Sequence, residues 1–285
     1  MEYANSKDGT RIAYWREGDG PPLVLVHGTG IDHSYWDSVS PELARNFTVY
    51  SIDRRGRGRS GDTPPYAIQR EFEDLEAVID KVPGQVFLLG HSYGALCSLE
   101  TALTTRRIRK MILNEPPMYT TVEVTVPDGA LEMIRAELEA GEAEKALVTI
   151  LEAGGMSARE LSLMRSRPEW PARVGAAFTI PREFLGVKGY AFEAARFKDL
   201  TTPVMLLGGA VTAPVYRAAL EALAASLPNC RLVLLPGQGH DAALAAPGPY
   251  SREVIGFFLP DQHDGRGPIR PESTTCRAAS ARSSA

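Results

Sequence analysis

The stretch that most restricts the fold is Val86-Phe87-Leu88-Leu89-Gly90-His91-Ser92-Tyr93-Gly94-Ala95. Its opening apolar run is too short for a helix and predicts a buried strand, after which Leu96, Leu99 and Leu103 recur at helical spacing. Between them stands Gly-x-Ser-x-Gly, the spelling of a tight strand-to-helix turn that lifts a serine hydroxyl clear of a sheet. A Cβ on either flanking residue would collide with neighbouring backbone, so both flanks are glycine. A turn of this kind needs a sheet around its strand and layers of helix on that sheet.

The remaining chain supplies both. Asp8-Gly9 predicts a hairpin turn, with Arg11 to Trp15 as its second strand. Leu23-Val24-Leu25-Val26 is apolar throughout, as a strand covered on both faces must be. A short helix broken near Pro41 and a strand over Phe47 to Ile52 follow. Phe72, Leu75, Ile79 and Val82 then mark a helix between about Tyr66 and Val82. Further strands are predicted over Ile108 to Leu113, Val204 to Leu207 and Arg231 to Leu235, with helices from about Pro214 to Leu227 and from about Pro249 to Phe258. Alternating apolar strands and amphipathic helices give an α/β chain with a mostly parallel central sheet flanked by helices. Ligands of such sheets bind beyond the carboxyl ends of the strands, where His27, Asp53, Ser92, Glu115 and His240 all fall.

Residues from about 128 to 190 differ in character. Leu131, Ile134 and Leu138, then Ala146, Leu147, Ile150 and Leu151, are helical patterns, with Gly154-Gly155 as a hinge and Pro168 and Pro171 as breakers. The organisation expected is a core domain of residues 1–127 and 191–260, a helical cap of 128–190, and a disordered tail of 261–285 too poor in large apolar groups to bury itself.

Among 285 residues, 44% are hydrophobic and 23% charged, and the net charge is −4, which gives no electrostatic case for nucleic acid. The start, Met1-Glu2-Tyr3-Ala4-Asn5, lacks the basic and apolar regions of a signal peptide, and no apolar run approaches membrane-spanning length. Cys97, Cys230 and Cys276 have no metal-ligand spacing, and their odd number points to a reducing compartment. The expectation is a cytoplasmic monomer or homodimer acting on a small molecule, with no nucleic-acid or membrane partner and no cofactor or metal.

With these motifs in hand, residues 1 to about 260 resemble the α/β-hydrolase superfamily. The resemblance rests on His27-Gly28-Thr29-Gly30, Asp53-Arg54-Arg55-Gly56-Arg57-Gly58-Arg59-Ser60, the pentapeptide Gly90 to Gly94, and Gly237-Gln238-Gly239-His240, each after its strand and in this order. It implies an α/β-hydrolase fold with Ser92 as nucleophile, His240 as its base, and the backbone N–H groups of Thr29 and Tyr93 as oxyanion donors. His27 and His91 belong to the turns themselves, His33 is a lesser competitor for the base, and His263 lies in the tail. The Arg-rich Gly56-x-Gly58 segment lacks the Walker lysine and the dinucleotide spacing, and is read as a structural turn beside the site.

One part of the pattern is missing. The superfamily usually keeps its acid after the strand that here is Val204 to Leu207, yet the chain continues Gly208-Gly209-Ala210-Val211, with Ala210 at the acid's place and no Asp or Glu from Val204 to Leu220. Two readings stay open. Glu115, at the end of the strand after the elbow, replaces the acid; its bland alternative is a structural carboxylate of the Asn114-Glu115-Pro116-Pro117 turn, and Asp241 is a weaker substitute because side chains of adjacent loop residues usually diverge. Otherwise the triad is incomplete. The first gives a serine hydrolase of an ester, lactone or thioester working through an acyl-enzyme. The second gives a non-hydrolytic relative (lyase, cyclase or C–C bond-cleaving type) or a ligand-binding one. Tyr35, Trp36, Met118, Tyr119, Phe178 and Phe184 are candidate lining for a lipophilic substrate, each with ordinary core packing as its alternative.

Overall fold

The computed structural model describes residues 1–118, 129–153, 158–260 and 274–275. The strands are β1 (Glu2–Asn5), β2 (Arg11–Glu17), β3 (Pro22–Val26), β4 (Thr48–Ile52), β5 (Val86–His91), β6 (Ile108–Asn114), β7 (Val204–Gly209), β8 (Cys230–Leu235) and β9 (Thr274–Thr275). They form one sheet in the order β1-β2-β4-β3-β5-β6-β7-β8-β9. Pairing is parallel from β4 through β8, while β1, β2 and β9 join antiparallel. Apart from Thr274 and Thr275, the tail expected over 261–285 lies outside the described residues.

The helices are α1 (Ser40–Leu43), α2 (Ile68–Lys81), α3 (Tyr93–Thr101), α4 (Ala130–Glu139), α5 (Ala143–Ala153), α6 (Ala158–Arg165), α7 (Trp170–Ala176), α8 (Ile180–Lys188), α9 (Pro214–Ser226), α10 (Ala242–Ala245) and α11 (Pro247–Phe258). Side chains on a strand alternate between faces, and the core divides accordingly. Val24, Val26, Val86 and Leu88 join α2, α3 and α9 in one apolar layer. Leu23, Leu25, Phe87 and Leu89 join α1 and α11 in the other.

The hairpin, the strands and the long helices lie where periodicity predicts them, with ends shifted by a residue or two. Pro171 is a correction: it sits in the first turn of α7, where a missing N–H leaves no helical bond unmade, so it starts a helix instead of breaking one. Pro181 does the same in α8. The Gly154-Gly155 hinge lies outside the described residues. Helices α4 to α8 follow β6 and carry an apolar cluster of their own, with Ile134, Leu147, Ile150, Ala177 and Ile180 at its centre.

Two glycines show what the elbow demands of the backbone. A Cβ on Gly94 would meet the Val26 carbonyl oxygen at 2.3 Å, and one on Gly90 would meet the Gly94 carbonyl oxygen at 2.5 Å. Ser92 itself has φ 53° and ψ −124°, a conformation that costs a non-glycine residue about 1–3 kcal/mol and persists because strand and helix are fixed on either side.

Candidate active site

The expected residues converge on one edge of the sheet. Ser92 caps the start of α3, and Tyr93 opens that helix, so the Tyr93 N–H is among those with no partner inside the helix. The Ser92 N–H donates to the Asn114 carbonyl at 2.8 Å, tying the elbow to the end of β6. A Cβ on Gly28 would lie 2.9 Å from the Ser92 Cβ, which places the His27-Gly28-Thr29-Gly30 loop directly against the serine.

Glu115 follows β6 in the left-handed conformation, with φ 49°. Its carboxylate reaches past the end of β7 to the loop after β8. Oε1 accepts from the Gly209 N–H at 2.7 Å, and Oε2 accepts from the Thr212 hydroxyl at 2.8 Å. Oε2 also lies 2.6 Å from Nδ1 of His240. An ionised carboxylate only accepts, so Nδ1 carries the proton of this bond. Burial pushes the Glu115 carboxyl up, but the bond and charge of His240, with the Gly209 and Thr212 donors, outweigh it and hold the group below the usual range. Among the described residues no hydrogen bond joins Ser92 Oγ to His240.

Gly208 explains how the carboxylate passes, and Gly209 how closely the loop after β8 packs on this strand end. A Cβ on Gly208 would sit 3.1 Å from Glu115 Oε1, and one on Gly209 would meet the Gln238 carbonyl oxygen at 2.0 Å. The segment that lacks an acid is thus the segment that makes room for one from the neighbouring strand. Ala210 is exposed and uses its N–H to bond the Leu235 carbonyl. Asp241 turns to the Tyr35 hydroxyl instead: burial raises its carboxyl, but the charge of Arg173, foremost, and the Tyr35 hydroxyl are among the effects that outweigh it, and the net shift is downward.

Aromatic rings sandwich the His240 imidazole. Tyr216 of α9 stacks on it with centroids 3.9 Å apart and planes at 12°, and His91 lies 4.6 Å away on a tilt. His91 stacks on Tyr35 in turn, and its Nε2 is 3.1 Å from the His240 carbonyl. Burial, then the charge of His240, drive the His91 imidazole down to about 3, so it stays neutral and donates from Nε2. Sequence reasoning missed Tyr216; nothing local distinguishes it from any half-buried helical tyrosine.

The Arg-rich turn is structural, as expected. Arg54 donates from Nε and Nη2 to the two oxygens of Glu71, pairs with Glu183, and donates from Nη1 to the Gly28 carbonyl at 3.0 Å. Arg55 grips Asp74 through two bonds of 2.6 and 2.7 Å and also meets Asp8. Arg57 pairs with Glu183 at 2.7 Å. Their charges are spent on carboxylates of the protein itself, which leaves no phosphate cradle.

Asp32, His33 and Asp53 bring ligand-type atoms within 4.8 Å of one another, a grouping invisible at sequence level because Asp53 comes from a different strand end. Asp53 accepts from His33 through Oδ1 and from the Arg59 N–H through Oδ2, Asp32 accepts from Ser34, and His33 stacks on Trp15, so the cluster is closed on its own donors. Burial pushes the Cys97 thiol well up, as suits a small core residue. Cys276 and His263 lie outside the described residues.

Of the candidate lining residues, Tyr35, Trp36 and Met118 are buried in the two core layers, Phe184 packs in the α4–α8 cluster, and Phe178 is exposed. Tyr119 lies outside the described residues. The apolar groups that approach the site are others. Leu147 and Ile180 would each stand 3.6 Å from a Cβ on Gly30, and Gly186 of α8 packs on the Tyr93 hydroxyl. No helix among the described residues is long and apolar enough to cross a membrane.

This geometry agrees with comparison to known proteins. Residues 23–253 match the alpha/beta hydrolase family, and the chain belongs to that family. An alpha/beta hydrolase from Sphaerobacter thermophilus DSM 20745 superposes with a TM-score of 0.80 at 35% identity, covering 90% of this chain and 100% of that one. The pimeloyl-[acyl-carrier protein] methyl ester esterase of Nitrosomonas europaea is 26% identical over 243 residues, 81% of this chain and 92% of that protein. The probable oxidoreductase EphD of Mycobacterium tuberculosis is 42% identical over 99 residues, but these are 32% of this chain and 17% of EphD.

Proposed function

We propose that the protein is a serine ester hydrolase in which Ser92 is the nucleophile, His240 the general base and Glu115 the acid that orients it. The observation that carries this reading is the 2.6 Å contact between Glu115 Oε2 and His240 Nδ1. Likeness to an esterase over most of the chain supports it. The non-hydrolytic and ligand-binding alternatives drew their force from the acid missing at Ala210, and a carboxylate arriving from β6 removes that motive.

In the proposed reaction His240 Nε2 takes the Ser92 hydroxyl proton as Oγ bonds to the ester carbonyl carbon. The carbonyl π pair moves onto oxygen, where the Thr29 and Tyr93 N–H groups donate to it; a donor of this kind lowers the barrier by about 3 kcal/mol. Collapse expels the alcohol, which takes the proton from His240 and leaves an acyl group on Ser92. Water then repeats the sequence and frees the acid. Glu115 remains ionised throughout and stabilises the transient imidazolium. Helices α4 to α8 act as a cap, and the approach of Leu147 and Ile180 to Gly30 favours an apolar acyl group of small to medium size. The cytoplasm is the proposed site of action.

The test is hydrolysis of p-nitrophenyl acetate and butyrate, with fluorophosphonate labelling, by wild type and Ser92→Ala. Turnover and labelling that vanish in Ser92→Ala are expected. A wild type that neither turns over these esters nor takes the label sinks the proposal.

A further inference from the structure

The Gly28 carbonyl is held from two sides. Arg54 Nη1 donates to it at 3.0 Å, and His27 Nδ1 lies 2.9 Å away. The Arg54 N–H donates to His27 Nε2 at 3.1 Å, so that nitrogen bears the lone pair and Nδ1 bears the proton that goes to Gly28. A peptide unit is planar and trans, and the carbonyl of residue 28 and the N–H of residue 29 point in opposite directions within one plane. Fixing the first therefore fixes the second. A cationic donor on the carbonyl also draws electron density from the amide and makes its N–H a better donor.

The same guanidinium lies over the ring of Tyr93, 4.4 Å from its centroid. One side chain thus bonds the peptide unit of the first proposed oxyanion donor and packs on the side chain of the residue that supplies the second. Arg54 is in turn held by carboxylates from two directions. Glu71 comes from α2 in the core, and Glu183 comes from α8 in the insert. Glu183 also pairs with Arg57, and its neighbour Arg182 donates to Asp62 at 2.6 Å and to the Arg55 carbonyl at 3.2 Å. All four members of the Arg54, Arg57, Glu71 and Glu183 cluster are buried, where an unpaired charge is costly and geometry is tightly held.

We propose that Arg54 is a positioning residue for the oxyanion loop, and that Glu183 makes its placement depend on α8 being docked, so the donors are aligned only beneath a seated cap. This rests on the reading of Thr29 as an oxyanion donor. It assigns Arg54 no contact with substrate.

The experiment compares wild type, Arg54→Met, Arg54→Lys and Glu183→Gln. Each is assayed with p-nitrophenyl butyrate, inhibited with an alkyl trifluoromethyl ketone whose hemiketal oxygen is an anion in the same place, and checked by circular dichroism melting. Loss of one oxyanion donor lowers kcat by about 10²–10³. Misalignment in Arg54→Met is expected to lower kcat about tenfold to a hundredfold with KM little changed, and to weaken the trifluoromethyl ketone by the same factor. Arg54→Lys should recover part of both. Glu183→Gln should show a smaller loss in the same two readouts, and it decides the question if Arg54→Met does not fold. Folded variants whose kcat and ketone affinity match wild type overturn the brace while leaving the hydrolase reading in place. Activity loss without a matching change in ketone affinity also overturns it, since general destabilisation has no reason to track the anionic oxygen. A wild type inert to ester and fluorophosphonate alike would overturn both proposals.

Discussion

Glu115, at the end of β6, meets His240, on the loop after β8, across the Gly208-Gly209 end of the strand that separates them, with Oε2 2.6 Å from Nδ1. The carboxylate accepts two further hydrogen bonds from that intervening segment, one from a backbone N–H and one from the Thr212 hydroxyl. Three hydrogen bonds thereby fix the position of both carboxylate oxygens.

Glu115→Gln keeps the shape of this group and removes its charge. Gln has one acceptor oxygen, and with that oxygen on the Gly209 N–H its NH2 faces Nδ1 and reverses the tautomer, so kcat for p-nitrophenyl butyrate is expected to fall by about 10² to 10⁴ with little change in KM. Asp241→Asn, beside the base but turned away from Nδ1, should lose far less. Steady-state kinetics of the two variants separate the roles, and a Glu115→Gln enzyme near wild-type kcat would remove Glu115 from the relay.

Tyr216 covers one face of the His240 ring at 3.9 Å. An aromatic pair contributes about 0.5–1.5 kcal/mol beyond its buried area, so Tyr216→Ala should lower kcat/KM by about twofold to tenfold. Tyr216→Phe keeps the ring and should keep most of the activity. If both variants fall equally, the stack is not what matters.

Gly94→Ala tests the elbow as a fold element. The added methyl would meet backbone oxygens of Val26 and His27 at 2.3 and 2.5 Å, and neither can step aside without moving β3. A loss of about 2–3 kcal/mol is expected, measured by urea unfolding.

His33 gives the pH dependence. Burial lowers its basicity, but the hydrogen bond and charge of Asp53 raise it more, and the imidazole sits above its ordinary value when folded. A group raised on folding stabilises fully below its unfolded pKa, about 6.5, and the contribution is lost as pH rises through the folded value. The melting-temperature gap between wild type and His33→Gln should therefore be wide at pH 5.5 and close by pH 9. A gap that widens toward alkaline pH would contradict the assignment.

Much of this was legible in the residues. The elbow, the apolar runs and the ordered turns placed Ser92, His240, Thr29 and Tyr93 at one sheet edge, because strand period and turn chemistry are local properties. The choice between Glu115 and an incomplete triad was not local, since it depended on a left-handed φ at Glu115 and on a carboxylate crossing an intervening strand. A signal was present all the same: Gly208 stands where a Cβ would have crowded that carboxylate. Tyr216 and the link from Arg54 to Glu183 join residues far apart in the chain, and no spacing rule reaches them. The candidates for substrate lining stayed ambiguous for the converse reason, because a core layer and a pocket wall call for the same residue types.

Glu115 and His240 are 125 positions apart, with the whole α4–α8 insert between them. A ribosome adding about 5–20 residues each second completes Ser92, the oxyanion loop and Glu115 roughly 6–25 s before it completes the histidine. Throughout that interval Glu115 lacks the imidazole that its carboxylate meets in the folded protein. The Glu115–His240 contact forms only when β8 docks beside β7 and delivers its loop, so the proposed site is completed late in synthesis.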